Sequence, residues 1–524
     1  MTLGQTIRKL RTDAKLTQAR FSEILGVTQQ SVQRWESGAA SPDLGKLVSI
    51  AKHFGVSLDA LVLGQDRRAA EEQTRVLKPR YQSMPNWELY SSSLVTEYTQ
   101  SLEEGLDVAL YGDVFASVAR LPKGEIKERL GDALFLAVSS APTVEGYAYN
   151  EPSDLESIRA LRPSVALSGE GAPVSMRDRL LGAWMGRICG CMLGKTVEGI
   201  RSHELIPFLK ETGNYPMHRY IRKTDLTPEI LARYSYGFAT RFYADEVDGV
   251  PVDDDTNYTV MAQEIIREYG RDFTPYDVSR AWLKYQTKDA YCTAERVAYC
   301  NFVKGFVPPE SALYKNPYRE WIGAQIRADY FGYINPGDPE TAAEMAYRDV
   351  SVSHIKNGIY GEMWVAAMLA VAAKTADLRS VILGGLGQIP RTSRLYEAVT
   401  WVVDAYGKGV SREDCFAHIH ELYDEYTEHG WCHTISNAMI VAASLLYGEG
   451  DYGRSVCMAV ETCFDTDCNA ATVGSVLGMA YGIGAIPSCW TAPANDTLHT
   501  SLFGVGTVRI SERVDMTLAH IEER

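Results

Sequence analysis

In the stretch MRDRLLGAWMGRICGCMLGKTVEGI, which opens at Met176, glycines fall at 182, 186, 190 and 194. A step of four residues returns to the same face of an α-helix, so the spacing predicts a helix with one face of bare backbone. Another helix can then approach far closer than side chains normally allow. In a bilayer such a stripe drives helix dimerisation, but Arg179, Arg187 and Lys195 exclude an apolar span here. The constraint is therefore a tight helix pair inside an aqueous protein. A second stripe, Gly474, Gly478 and Gly482, lies about 290 residues further on.

Acidic residues stand beside both stripes. Glu198 follows the first. The run ValProValAspAspAspThrAsnTyrThr (250–259) places Asp253, Asp254 and Asp255, then Thr256, just before a helical stretch. Asp465 and Asp467 stand at the start of the helix that carries the second stripe. A helix N-terminus offsets part of the repulsion between neighbouring carboxylates. The remainder calls for a cation, and an all-oxygen set suits Mg²⁺, Mn²⁺ or Ca²⁺. A solvated capping run is the plainer explanation of the aspartate triplet alone. Two Asp-rich helix starts, each offering half a cage, are what a binuclear site needs.

Charge divides the chain. The net charge is −15, yet residues 1–64 carry +3 and the rest −18. The basic head has apolar residues at helical spacing (Ile7, Leu10, Leu16, Phe21, Ile24, Leu25, Val32, Trp35). Thr17 is placed to cap a helix ending at Leu25, Gly26 to turn, and Thr28 to cap a second helix beginning GlnGlnSer. Two short helices joined through such a turn make a helix-turn-helix, whose second helix enters the DNA major groove.

The head LTQARFSEILGVTQQSVQRWESG, with SPDLGKLVSIAKHFGVSLDALVLG after it, resembles the phage repressor and Cro type of DNA-binding domain, five helices in about 64 residues. That resemblance implies that Gln29, Gln30 and Arg34 face base edges and that Gln18 touches a phosphate. Gln can bond adenine bidentately and Arg guanine. It also implies a dimer on two half-sites of a DNA operator. Residues 1–64 hold no pairing element, so a homodimer contact is expected further along the chain.

At 524 residues the chain has room for three or four domain-sized units. The expected organisation is a DNA-binding domain (1–64), a linker (65–86), a helical extension with a wrapping loop from 142 (87–174), and a large all-α domain (175–524). Ten cysteines without CxxC spacing argue against a zinc ribbon or a disulfide framework. No apolar run reaches bilayer length and no signal-peptide pattern opens the sequence, so a cytoplasmic protein without membrane contact is expected.

Taken together, the glycine helix with Glu198, the aspartate triplet and CysPheAspThrAspCysAsn (463–469) resemble the ADP-ribosylglycohydrolase family over about residues 176–490. The resemblance implies an all-α bundle holding two Mg²⁺ ions (Mn²⁺ in their place) and hydrolysing a ribosyl C1 bond in an ADP-ribosyl small molecule, modified protein or related riboside. By it, Asp254, Asp255, Asp465 and Asp467 match metal ligands, with Asp253 and Thr256 beside them. Glu198, Asp255 and Asp465 become the catalytic candidates. Gly323 and Arg327 match a phosphate-holding loop and His354 a substrate-contacting histidine; His433, four residues before Asn437 on a helix start, is a further ligand candidate. Three positions depart from the family pattern: Asp253 and Cys468 where threonine is usual, and Cys191 where aspartate is usual. A transcription regulator whose glycohydrolase-like domain only senses a ribosyl ligand is the alternative reading.

Overall fold

The computed structural model describes residues 2–63 and 78–523, so most of the expected linker lies outside the described residues. Two compact units emerge, residues 1–84 and 85–524. The segment 87–174 is thus part of the larger unit rather than a separate body.

The head comprises α1 (Leu3–Asp13), α2 (Gln18–Leu25), α3 (Gln29–Ser37), α4 (Leu44–Phe54) and α5 (Leu58–Leu63). Its punctuation follows the sequence. Thr17 Oγ1 accepts from the Arg20 amide at 3.1 Å and Thr28 Oγ1 from that of Ser31 at 3.2 Å. Each such cap stabilises its helix by about 1 kcal/mol. Gly26 ends α2 in the left-handed region at φ 63°, where glycine alone carries no Cβ penalty. Ile7, Phe21, Val32, Ile50 and Leu61 are fully buried and form the core of this unit.

The larger unit is a helical body whose only sheet among the described residues is one antiparallel pair, β1 (Thr497–His499) and β2 (Thr507–Arg509). Five helices carry the site: α6 (Met176–Lys195), α7 (Asp254–Tyr269), α8 (Lys356–Ala372), α9 (Thr434–Tyr447) and α10 (Thr466–Tyr481). Both α8 and α9 are buried on every side, from Asn357 to Ala372 and from Thr434 to Tyr447. Helices apolar all round occupy the centre of a large core rather than its surface. Among the described residues no helix is long and apolar enough to cross a membrane.

The two glycine stripes meet each other. A Cβ on Gly186 would lie 2.2 Å from the Gly474 carbonyl oxygen, and one on Gly182 2.5 Å from that of Gly478. α6 and α10 run antiparallel in backbone contact, and this brings the C-terminus of α6 against the N-terminus of α10. Thr466 Oγ1 donates to the Gly194 carbonyl at 2.9 Å across that junction.

Residues 87–174 add helices Leu94–Glu103, Gly112–Ala119 and Glu125–Ser140 around Leu94, Phe115 and Leu134. The stretch expected to wrap as a loop contains a short helix of its own, Leu155–Ala160, which Asp154 caps through the Ser157 amide at 2.9 Å. Buried ion pairs fasten the extension to the body. Arg319 reaches Glu97 at 2.7 Å and Glu104 at 2.6 Å.

Candidate active site and metal centre

The antiparallel contact of α6 with α10 decides what meets at its end. Asp465 and Asp467 stand at the start of α10, and Lys195 and Glu198 at the end of α6. The α7 N-terminus contributes the aspartate run. Asp253 caps α7 by accepting from the Asp255 amide at 2.9 Å, and Lys195 Nζ bonds its other oxygen. Capping thus accounts for Asp253 alone. The run is not solvated either: Asp253 and Asp255 are buried and Asp254 is half-buried. Asp465 occupies the N-cap position of α10 yet makes no capping bond. Its amide donates to Asn437 Oδ1 at 3.3 Å, so α9 sets the position of this turn.

Oxygens of Asp253 and Asp255 and the sulfur of Cys191 lie within 4.8 Å of one another; so do oxygens of Asp255 and Asp467 and the sulfur of Cys468. Asp255 is common to both groups. Arg187, fully buried, braces it from behind, with Nη2 3.0 Å from Asp255 Oδ1 and Nη1 2.8 Å from Asp329 Oδ2. Two oxygens remain without a hydrogen-bond partner although buried: Asp255 Oδ2 and Asp467 Oδ1. A buried polar atom left unpaired costs about 1–3 kcal/mol, and more when charged.

Burial, and then the negative charge of neighbouring carboxylates, holds Asp254, Asp255 and Asp467 well above the usual carboxylate range. Asp465 is raised as well, with burial again the main cause. Burial, reinforced by the charges of Asp465 and Asp253, pushes the Glu198 carboxyl up to about 7. Unpaired oxygens converging under mutual repulsion are what a divalent cation would relieve, so the residues present fit one. Asp253, Asp255 and Asp467 offer the converging oxygens. Thr256 Oγ1 donates to the Asp253 carbonyl at 3.2 Å, a bond that uses its hydrogen and leaves the oxygen lone pairs for a ligand role.

The candidate substrate residues are placed differently from expectation. Arg327 is buried in a closed network, with Asp349 at 2.6 Å, Glu295 at 2.8 Å and Ser353 Oγ at 2.9 Å from its guanidinium. In this conformation it braces the core rather than presenting a phosphate contact. Gly323 lies on Glu295, whose Oε1 a Cβ would approach to 2.3 Å, so a carboxylate fills the space beside that loop. His354 is buried, with Nδ1 2.8 Å from Ser353 Oγ and Nε2 4.0 Å from Glu295 Oε1. His433 caps α9 by accepting from the Ile435 amide at 3.2 Å, and its Nε2 lies 3.6 Å from both Glu320 and Glu103. Arg327, His354 and His433 thus bond groups other than the clustered aspartates.

In the head, Gln29, Gln30 and Arg34 are exposed along one stretch of α3, joined by Gln33. Gln18 instead commits an amide hydrogen to the buried Glu36, 2.8 Å away, which Arg11 also bonds at 2.5 Å.

Sequence reasoning gave no site role to Arg187, Lys195 or Asp329. Arg187 carried little signal, because it lies about 100° round the helix from Gly186 and so off the glycine face.

Residues 7–61 match the helix-turn-helix profile, and residues 172–515 match that of ADP-ribosylglycohydrolase. The head is 35% identical over 66 residues to the HTH-type transcriptional activator BcrR of Enterococcus faecalis. It is 38% identical over 61 residues to the SPbeta prophage-derived uncharacterized HTH-type transcriptional regulator YonR of Bacillus subtilis (strain 168). These matches cover 13% and 12% of this chain and 32% and 56% of those proteins. A solved structure described as an ADP-ribosylglycohydrolase-related protein complex is similar over 66% of this chain and 98% of that one, at 19% identity and a TM-score of 0.40. With roughly two thirds of its length in one profile, and with the glycine-packed helix pair and its acidic cluster inside that stretch, the chain belongs to the ADP-ribosylglycohydrolase family, and its residues 7–61 are a helix-turn-helix domain.

Proposed function

We propose that the chain is a DNA-binding, divalent-metal-dependent hydrolase of a ribosyl C1 glycosidic bond. The observation that carries this reading is the pair of buried, unpartnered oxygens on Asp255 and Asp467 beside a carboxyl poised near neutral pH on Glu198. Cleavage at C1 passes through an oxocarbenium-like sugar, so it needs an activated water and negative charge nearby. When bound, a divalent cation would supply Lewis acidity next to the sugar hydroxyls. Asp253, Asp255 and Asp467, with Asp254 and Asp465 adjoining, would hold it. Glu198 takes the proton of the attacking water: a base that titrates near the working pH is deprotonated often enough and still basic enough to act. Arg187 fixes the aim of Asp255, and Lys195 holds Asp253 in place.

The substrate class is an ADP-ribosyl adduct or a smaller N- or O-riboside, and the head presents Gln29, Gln30 and Arg34 to an operator as part of a dimer in the cytoplasm. The fusion to a DNA-reading head favours one second reading, a sensor in which ligand binding alone sets operator affinity. Release of free ribosyl product from ADP-ribosyl-arginine, ADP-ribosyl-serine and small ribosides, with and without divalent cation, tests the proposal. Metal-dependent release supports it; binding with altered operator affinity and no product decides for the sensor.

A further inference from the structure

Three thiols touch the carboxylate cluster, and they are not equivalent: Cys432 Sγ donates to Asp465 Oδ2 at 4.0 Å, while Cys191 and Cys468 lie against the other aspartates. Beside Cys191, the Asp253 carboxylate is already engaged by Lys195 and by the Asp255 amide. Beside Cys468, neither Asp255 Oδ2 nor Asp467 Oδ1 has a partner, although the two residues are 0% and 3% exposed. In the group formed by Asp255, Asp467 and Cys468, one carboxylate oxygen of each aspartate and the sulfur lie within 4.8 Å of one another. A buried cysteine usually serves as a small apolar filler. This one lies among carboxylates, where apolar filling gains little.

Donor chemistry decides which cation suits such a group. Mg²⁺ takes oxygen ligands in near-ideal octahedra and dehydrates reluctantly, whereas Zn²⁺ accepts thiolate and carboxylate together in tetrahedral sets. We propose that Asp255, Asp467 and Cys468 form a mixed oxygen–sulfur site that selects a thiophilic divalent cation of the Zn²⁺ class over Mg²⁺. This rests on the reading that the cluster holds a divalent metal, and it names which one. On binding, the Cys468 S–H bond is replaced by a sulfur–metal bond and the proton passes to solvent, with no change of oxidation state.

The other close group of metal-ligating types among the described residues, Glu103, His429 and His433, does not compete. His429 Nδ1 accepts from Trp321 Nε1–H at 3.2 Å, and His433 Nδ1 from the Ile435 amide. Both donors are fixed N–H groups, so each neutral ring carries its hydrogen on Nε2, the atom that faces Glu103.

The test is a Co²⁺ titration of the metal-stripped full-length protein, followed by absorbance. Tight Zn²⁺ binding would not suffice, because most donor sets favour Zn²⁺ over lighter divalent ions. The expected result is an intense near-ultraviolet sulfur-to-cobalt band. Cys468→Ser should abolish it and weaken Co²⁺ binding by about tenfold or more, while Cys191→Ser and Cys432→Ser retain it. ¹¹³Cd resonance of the wild-type protein, which needs no variant, should show the downfield position of a thiolate-bound ion. Weak visible bands alone, or a band that survives Cys468→Ser, would overturn the mixed site and leave the metal reading standing. Failure of Mg²⁺, Mn²⁺ and Co²⁺ alike to bind would overturn both.

Discussion

Gly190 lies so close to Ala470 that a Cβ on the glycine would come within 2.1 Å of the alanine carbonyl oxygen. Gly194 is in the same position against Thr466 and Asp467, at 2.3 Å. The second contact is made by the backbone of the acidic turn itself. The glycine stripe is thus the part of the sequence that sets how far Asp465 and Asp467 stand from Lys195 and Glu198 at the end of α6.

Gly190→Ala should therefore cost about 1–3 kcal/mol or more, because no flexible side chain is available to yield. Gly407→Ala, where nothing lies within 4 Å of the added Cβ, should be neutral or slightly stabilising. Thermal melts of the two variants check this. Equal effects would show that the helix pair relaxes more easily than its geometry implies.

Most of this architecture was legible because periodicity and punctuation are local signals. The stripe at 182–194, the Thr17 and Thr28 caps and the Asp-rich helix starts each declare themselves within a few residues. What the sequence withheld was pairing over long separations. Arg327 is as suited to a phosphate as to Glu295 and Asp349, and only the fold reveals the acids around it.

Metal should stabilise wild type and leave Asp467→Asn unshifted. Removing one charge from a repelling, buried cluster should leave the metal-free protein at least as stable. It should also abolish the rise in Tm that a divalent cation gives wild type, about 2.7 kcal/mol at a hundred times the Kd. Differential scanning calorimetry with and without cation measures both. An undiminished shift would remove Asp467 from the ligand set.

Burial, and then the positive charge of Arg327, keeps the His354 imidazole well below its ordinary 6.5. The folded protein holds it neutral, while the unfolded chain protonates it below about pH 6.5. Its contribution to stability is present above that value and is lost as the pH falls, at up to about 1.4 kcal/mol per unit. His354→Asn should flatten this part of the Tm-against-pH curve below pH 6.5. Curves that run parallel would contradict the assignment.

Replacing Gln30 by Ala should cost about 1–3 kcal/mol on the cognate operator and little on random DNA. Gln30 is exposed and takes no part in the head's core. Fluorescence anisotropy on both duplexes measures it. Equal losses on the two would exclude direct readout by this side chain.

The central claim is that Glu198 is the base of a hydrolytic site rather than a bystander of a binding site. The most direct measurement is the rate of ribosyl product release against pH for the metal-loaded full-length protein and for Glu198→Gln. The wild-type rate should rise with pH as the carboxyl loses its proton, with a midpoint below the metal-free value of about 7, because a bound cation favours the ionised form. Glu198→Gln should still bind metal while losing about 10²–10⁴-fold in rate. A variant that releases product as fast as wild type, or a wild type that binds ligand and never releases product, would contradict the account.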